Sequence, residues 1–344
     1  MSIKKKILHV RHSLGEGGIT TFVQALVDLN KSSDTSHHIL VWKELPVSDD
    51  EFDVVDMSKS TSRKKEFANL IQDYDSIFVH SLMPFMLIPL FKRKSNVYLF
   101  QHGITFGKGK KKIFKQLYYA LIINFFGFKI ICSSEFAKKK LLRKVPVFNK
   151  KLISIIGFGI DLPLQTNLVK NNDSVLRIGF AGRLVEQKKV SRIINALELI
   201  KNDIEVEVHI AGNGPLQNNL EKRSKEFINS KITFVFYGFF KNMNDFYSKL
   251  DVFILPSVGE SFGLVVLEAL SRGIPSIVFS DTGACVEFIE HDRNGYVVNS
   301  EVELSKKIAA LSDVNLRNEL KLKMGTMGLK NYDISNTRSK LDVL

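Results

Sequence analysis

Cysteine is nearly absent from this chain: two in 344 residues, Cys132 and Cys285, each among apolar or small neighbours. Two isolated thiols make neither a disulfide framework nor a metal-ligand spacing, and they suggest a reducing compartment. Long apolar runs are missing as well. No uninterrupted stretch reaches the ~20 residues needed to cross a bilayer. The N-terminal Lys4-Lys5-Lys6 is followed by too short an apolar run, interrupted by His9, Arg11 and His12, to be a secretory leader. The expectation is a cytoplasmic protein, soluble or held at the cytoplasmic face of the membrane. The eight histidines show no ligand spacing. No Asp-x-Asp pair is flanked for a metal and a nucleotide diphosphate, and Asp49-Asp50 falls in a polar loop. Low-complexity tracts and recognisable internal repeats are also lacking.

What is present is a globular composition, 44% hydrophobic and 25% charged, long enough for two cores of ordinary size. The net charge of +13 is uneven: Met1–Gln165 holds 26 Lys and Arg against 14 Asp and Glu, and the remainder 23 against 22. A basic first half suits an anionic partner such as nucleic acid, an acidic membrane surface or a phosphorylated substrate, or is simply a lysine-rich surface. No nucleic-acid motif accompanies it, so nucleic acid is not an expected partner.

Short apolar runs alternate with segments of helical period, the pattern of a parallel α/β sheet. Strands are expected at Lys6–Val10, His38–Val41, Ser76–Val79, Val97–Phe100, Lys129–Cys132 and Leu152–Ile156. The polar stretch Gln165–Ser174 reads as a linker. A second series follows at Leu176–Ala181, Glu205–Ala211, Ile232–Tyr237, Val252–Leu255 and Ser276–Val278. The expected architecture is two Rossmann-like, doubly wound α/β domains, residues 1–164 and 165–328, facing across a cleft. Residues 329–344 form a C-terminal helix that packs back on the first domain. Open α/β sheets bind ligands beyond the carboxyl ends of their strands, so function is sought in the loops there.

Two loops of the second half carry chemistry. Gly182-Arg183-Leu184-Val185-Glu186-Gln187-Lys188 follows a strand and sets two cations at its end, which suits a diphosphate whose charge grows on bond cleavage. Taken alone, such a turn is more often a solvated surface. The second loop, Pro256–Leu264, contains Glu260-Ser261-Phe262-Gly263 and opens the helical segment holding Val265 and Glu268. Backbone N–H groups at a helix start make a phosphate seat, and two carboxylates at this spacing can each hold a pair of sugar hydroxyls. The plain alternatives are a helix-dipole acid for Glu260 and an ordinary exposed residue for Glu268.

In sequence order, Gly182-Arg183-Leu184 with Lys188, Gly212-Asn213-Gly214-Pro215, Tyr237-Gly238, Asp251–Ser257, Glu260–Glu268 and Gly273-Ile274-Pro275 resemble family 4 of the retaining glycosyltransferases, which have the GT-B fold. The match covers essentially Leu176–Val298. The resemblance implies that Arg183 and Lys188 hold the donor diphosphate. Glu260 contacts the transferred sugar, the backbone of Ser261, Phe262, Gly263, Leu264 and Val265 surrounds sugar and phosphate, and Glu268 binds the ribose. Gly182 makes the turn, and Phe239 borders the base. It also implies a UDP-sugar or other nucleotide-sugar donor, a hexose passed to a glycan or lipid-linked acceptor in envelope polysaccharide synthesis, and no metal or cofactor. The pattern departs at Gly157-Phe158-Gly159, where Phe158 replaces an amide, and at Gly283-Ala284, where the family has two glycines. A non-catalytic nucleotide-binding partner subunit and a nucleotide-sugar epimerase of the same fold are the alternatives.

In the first half, Gly17 and Gly18 lie in a glycine turn suited to close approach of a phosphate or sugar, although this is no dinucleotide fingerprint. His102, in Gln101-His102-Gly103, follows a strand. The resemblance brings it to the transferred sugar or the leaving phosphate, with His80 shaping the acceptor pocket. Finally, Lys108–Phe128 joins five lysines to an aromatic-rich apolar stretch, as in an interfacial helix in peripheral contact with a membrane. A core helix entered through a basic loop is the other reading.

Overall fold

The computed structural model describes residues 5–12, 18–32, 34–42, 54–57, 60–80, 90, 96–102, 110–162, 174–200, 204–227, 231–324 and 329–344. Gly17, Lys108 and most of the expected linker lie outside them, as do the side chains of residues 110–116.

The chain forms two compact units, Met1–Asp161 with Asn331–Leu344, and Leu162–Lys330. The first is built on seven strands: β1 (Lys5–Arg11), β2 (Thr35–Val41), β3 (Val54–Asp56), β4 (Ser76–Val79), β5 (Val97–Gln101), β6 (Lys129–Cys132) and β7 (Ile153–Ile155). They run parallel in the order β3-β2-β1-β4-β5-β6-β7. The second holds β8 (Leu176–Ala181), β9 (Val206–Ala211), β10 (Ile232–Gly238), β11 (Val252–Leu255), β12 (Ser276–Phe279) and β13 (Gly295–Val298), parallel in the order β10-β9-β8-β11-β12-β13. Each order grows outward in both directions from an inner pair, β1/β4 in one sheet and β8/β11 in the other. There the connections diverge and leave a crevice at the strands' carboxyl ends.

The continuous apolar runs are explained by burial on both faces: Val252, Phe253, Ile254 and Leu255 are all fully inaccessible, as are Ile7, Leu8 and Val10. Each such side chain contributes roughly 1.5–3 kcal/mol on burial. Sequence patterning missed only β3 and β13. Both are short edge strands with a neighbour on one side, and so lack the long apolar signature of inner strands.

The second unit also buries charge. Asp251, wholly inaccessible, accepts the amide of Arg177 at 3.0 Å and Lys321 Nζ at 3.1 Å, with Arg317 Nη1 at 3.9 Å. It ties the helix Val314–Met324 to the amino edge of β8 and β11. The last helix, Ile334–Asp342, is capped by the Asp333 side chain and belongs to the first unit. The Arg338 guanidinium donates to the carbonyls of Leu26 (2.6 Å) and Thr35 (2.6 Å), Thr337 Oγ1 to that of Gly157 (3.0 Å), and Lys5 Nζ to that of Asp342 (2.7 Å).

Candidate functional site

Three loops meet at the inner crevice of the second sheet, those after β8, β11 and β12. After β8 the chain leaves through Gly182, makes a short 3-10 turn at Glu186–Lys188, and returns through Lys189 in a left-handed conformation (φ 47°). Val258 donates its amide to the carbonyl of Gln187 (2.9 Å), which fastens the β8 loop to the β11 loop. Gly259 donates to Asp281 (2.9 Å) and Glu260 to Thr282 (2.5 Å), while Ala284 donates back to Glu260 (3.0 Å). This short parallel bridge locks the β11 loop to the β12 loop.

Within this frame Lys188 Nζ sits 2.7 Å from Glu260 Oε1, and both side chains are largely enclosed. Arg183, on the same loop as Lys188, is exposed. Gly263 caps the helix Leu264–Ser271 with φ 88° and no side chain. A Cβ there would stand 2.1 Å from Cys285 Sγ, so glycine is required by both space and backbone. The thiol in turn donates to the carbonyl of Phe262 (3.2 Å), and burial pushes its pKa up, so Cys285 acts as a packing group rather than a nucleophile. The first turn of this helix contains no acidic residue to satisfy its N–H groups or oppose its dipole. Ser261 and Val265 are half-buried, whereas Phe262 and Leu264 point inward, Phe262 edge-on to Phe288 at 5.1 Å.

Glu268 is not an ordinary exposed residue. Tyr247 donates its hydroxyl to Glu268 Oε2 at 2.9 Å, and burial raises the carboxyl's pKa despite that bond and the nearby Arg272. Phe239 follows β10 and is 46% exposed, an apolar ring left at the strand end. The loops after β9 and β8 touch through backbone: a Cβ on Gly212 would lie 2.0 Å from the carbonyl oxygen of Gly182. Of the sequence candidates in this unit, the structure brings Gly182, Lys188, Glu260, Ser261 and Gly263 together directly. Arg183 lies exposed on the loop after β8, and Glu268 lies farther along the helix.

Nothing local in the chain marks Arg192 and Asp281. They form a bidentate pair, both contacts 2.8 Å, while the guanidinium also donates to the carbonyl of Pro256 (3.2 Å) and lies 4.3 Å over Phe279. The pair holds Asp281 below the usual carboxylate range. Arg192 and Asp281 lie 89 residues apart in sequence, so only the fold could join them. The chain's single Asp-x-Asp, Asp73-Tyr74-Asp75, lies before β4, at the opposite edge of its sheet, where Asp75 accepts the amide of Lys6 (2.7 Å).

In the first unit Gly18 begins the helix Gly18–Asp28 that follows β1. His102 stands at the carboxyl end of β5, its ring 5.0 Å from that of Phe158. Phe158, in place of an amide, thus packs against this histidine and, at 4.4 Å, against Phe22. His102 Nε2 is 2.6 Å from His80 Nδ1, whose Nε2 is 2.8 Å from His9 Nδ1. Two of these three rings had been singled out from sequence. His9 and His37 had not, although each lies within a strand and is buried, a position where an imidazole needs polar partners.

Comparison with known proteins bears on the fold and on the second half of the chain. The family model described as glycosyl transferases group 1 matches residues 176–313. An uncharacterized glycosyltransferase of Methanocaldococcus jannaschii is 34% identical over 124 residues, 36% of this chain and 32% of that protein. The Escherichia coli UDP-Gal:alpha-D-GlcNAc-diphosphoundecaprenol alpha-1,3-galactosyltransferase is 27% identical over 251 residues, 66% of this chain and 63% of the enzyme. The chain therefore spans less than two thirds of either relative. A Rickettsia africae glycosyltransferase superposes with a TM-score of 0.78 at 18% identity, covering 99% of this chain and 97% of the other. Anabaena HepE, solved with UDP and glucose, gives 0.74 at 16% identity, with 98% of each chain covered. Residues 176–313 thus match the glycosyl transferases group 1 model, on a chain with the two-sheet α/β fold of the GT-B glycosyltransferases.

Proposed function

We propose that the protein is a retaining glycosyltransferase that moves a hexose from a UDP-sugar to a glycan or lipid-linked acceptor in bacterial envelope polysaccharide synthesis. The observation that carries this proposal is the Lys188–Glu260 pair, enclosed between the β8 loop and the N-terminus of the helix Leu264–Ser271. A bound diphosphate takes the charge of Lys188 and Arg183 and the helix N–H groups, which releases the Glu260 carboxylate to accept sugar hydroxyls. As the glycosidic bond breaks, charge builds on the leaving phosphate, where fixed cations and a helix terminus stabilise it without a metal. Glu268, already holding one hydroxyl from Tyr247, is suited to the ribose. Phe239 offers its exposed ring to the base. In the first unit, Gly17, Gly18 and the imidazole of His102 are the candidate substrate contacts, with His102 accepting from a sugar hydroxyl. The choice of UDP and of a lipid-linked acceptor is supported by the UDP bound to the Anabaena protein and by the diphosphoundecaprenol acceptor of the Escherichia coli enzyme.

A thermal-shift panel of UDP-glucose, UDP-galactose, UDP-N-acetylglucosamine and GDP-mannose tests the proposal, because a ligand that binds only the native state raises its apparent stability. Stabilisation by a UDP-sugar, lost in Glu260→Ala, is expected. Stabilisation by GDP-mannose alone, or wild-type donor hydrolysis by Glu260→Ala, would overturn it.

Peripheral membrane contact is part of the same proposal. Among the described residues no helix is long and apolar enough to cross a membrane. Yet on the helix Lys110–Phe126, Tyr118 (62%), Leu121 (61%) and Phe125 (84%) are exposed at positions that share one face. Ala120 and Ile123 turn into the core. An exposed apolar face after a lysine-rich entry suits shallow burial among anionic headgroups. Co-sedimentation with phosphatidylglycerol vesicles should be lost in Phe125→Asp.

A further inference from the structure

Across the first sheet runs an unbroken row of imidazoles. Asp342 Oδ1 lies 2.9 Å from His37 Nε2, His37 Nδ1 lies 2.7 Å from His9 Nε2, His9 Nδ1 lies 2.8 Å from His80 Nε2, and His80 Nδ1 lies 2.6 Å from His102 Nε2. Neighbouring rings are near-parallel along most of the row, His9 on His80 at 15° and His80 on His102 at 22°. Every contact joins the Nδ1 of one ring to the Nε2 of the next, so the row is strictly head to tail. At its far end His102 Nδ1 is buried and has no partner among the described residues.

A neutral imidazole has one N–H and one lone pair. Each ring-to-ring contact therefore needs a proton on one side and a lone pair on the other, and the choice made at one end propagates to the other. A carboxylate can only accept. His37 must then carry its proton on Nε2, which leaves Nδ1 to accept from His9 Nε2–H, and the same holds at His9 and His80. We infer that Asp342 fixes the tautomer of His102 through His37, His9 and His80, holding its proton on Nε2 and leaving Nδ1 as an acceptor. His102 then selects a hydrogen-bond donor, the class of a hydroxyl or an amine, and rejects a phosphate oxygen.

An extra proton would break the row, since an imidazolium donates from both nitrogens. Its surroundings oppose one. Burial lowers the pKa of all four rings, that of His102 to about 3. The charged groups facing the row are mostly cations: Arg11 on β1, which donates to Thr20 Oγ1 (2.8 Å), and Arg338 on the last helix, 3.6 Å from Asp342. Lys5 Nζ binds the backbone carbonyl of Asp342, not its carboxylate. Among the described residues Asp342 is the one anion in contact with the row, and despite partial burial its own pKa is lowered by the bond from His37 and by Arg338. Asp342, His37, His9 and His80 are thus positioning residues. That the acceptor at His102 meets a sugar hydroxyl rests on the function proposed above; the tautomer itself does not.

Long-range proton–nitrogen correlation spectra of the full chain labelled with nitrogen-15 histidine, recorded at neutral pH, read each ring's protonation directly. His102 should be neutral with its proton on Nε2 in the wild type. Asp342→Asn, whose amide can present an N–H to His37 Nε2, and Asp342→Ala should turn His102 into a mixture of tautomers, and Asp342→Glu should restore the single form. A proton on Nδ1 or a cationic ring in the wild type, or an unaltered His102 in both Asn and Ala variants, overturns the inference. With UDP-glucose as probe, kcat for donor hydrolysis in Asp342→Asn should fall about 10-fold, the scale of one mispaired hydrogen bond, with KM little changed. If the spectra behave as stated but His102→Ala hydrolyses UDP-glucose normally, the catalytic placement of His102 fails and the tautomer lock stands.

Discussion

The two sheets share a strand order around their inner crevices yet finish them with different materials. At β1/β4 side chains lead to the crevice, a hydrogen-bonded row of four imidazoles supplied by strands and strand ends, anchored by the last helix and ending in His102. At β8/β11 the crevice is framed by backbone, three loops that hydrogen-bond to one another through Gln187, Asp281, Thr282 and Ala284 and hold the enclosed Lys188–Glu260 pair. A backbone frame suits a fixed, charged ligand such as a diphosphate, since its dipoles do not titrate. A row of imidazoles transmits a protonation choice over a distance but depends on pH.

Acid should separate the two units most sharply. The folded-state pKa of each row histidine lies below its unfolded value of about 6.5, so the row is fully stabilising above that pH. As pH falls, the unfolded chain binds protons that the folded row refuses. Stability is lost from about 6.5 downward, toward the value of about 3 for His102, by up to roughly 1.4 kcal/mol per pH unit for each excluded proton. Calorimetry at pH 7 and pH 5 with hydrogen exchange should show the first unit opening before the second. Simultaneous opening would erase the contrast.

Removing the charge at the backbone frame should cost turnover instead of stability. Glu260→Gln keeps the shape and is expected to lower donor turnover by about 10²–10³-fold, the scale of one lost transition-state contact, with a melting temperature near that of the wild type. Gly263→Ala meets both a left-handed backbone and Cys285 Sγ, and should destabilise the second unit by about 1–3 kcal/mol in urea unfolding. Adding Cys285→Ala should recover only the steric share. The smallest effect belongs to Arg192→Ala. Its Asp281 partner is about half exposed, so solvent screening limits the loss to about 1 kcal/mol, present above the normal carboxylate pKa and vanishing as pH falls through the depressed value of Asp281.

Much of this was legible in the chain. Runs such as Val252–Leu255 and Leu176–Ala181 could only be buried parallel strands, and glycine and charge after them marked the crevice loops. Lys188 and Glu260 could be named because each stands a few residues beyond a readable strand. Arg192 and Asp281 could not, because a guanidinium on a helix and a carboxylate in a loop 89 residues away have no local signal. For Glu268 the sequence offered a ribose contact and an ordinary exposed residue side by side, and only the fold brought Tyr247 against it.

The row of histidines marks the boundary most clearly. Sequence placed His9, His80 and His102 in or just after an apolar strand, but left His37 just before one, since only the structure extends β2 back to Thr35. Only the tertiary structure decided that β2, β1, β4 and β5 lie side by side, and that a helix from the chain's end sets Asp342 against the outermost ring. Local patterning reports whether a residue is hidden from water. Which polar atom it then meets depends on strand order, a property of contacts between segments remote in sequence.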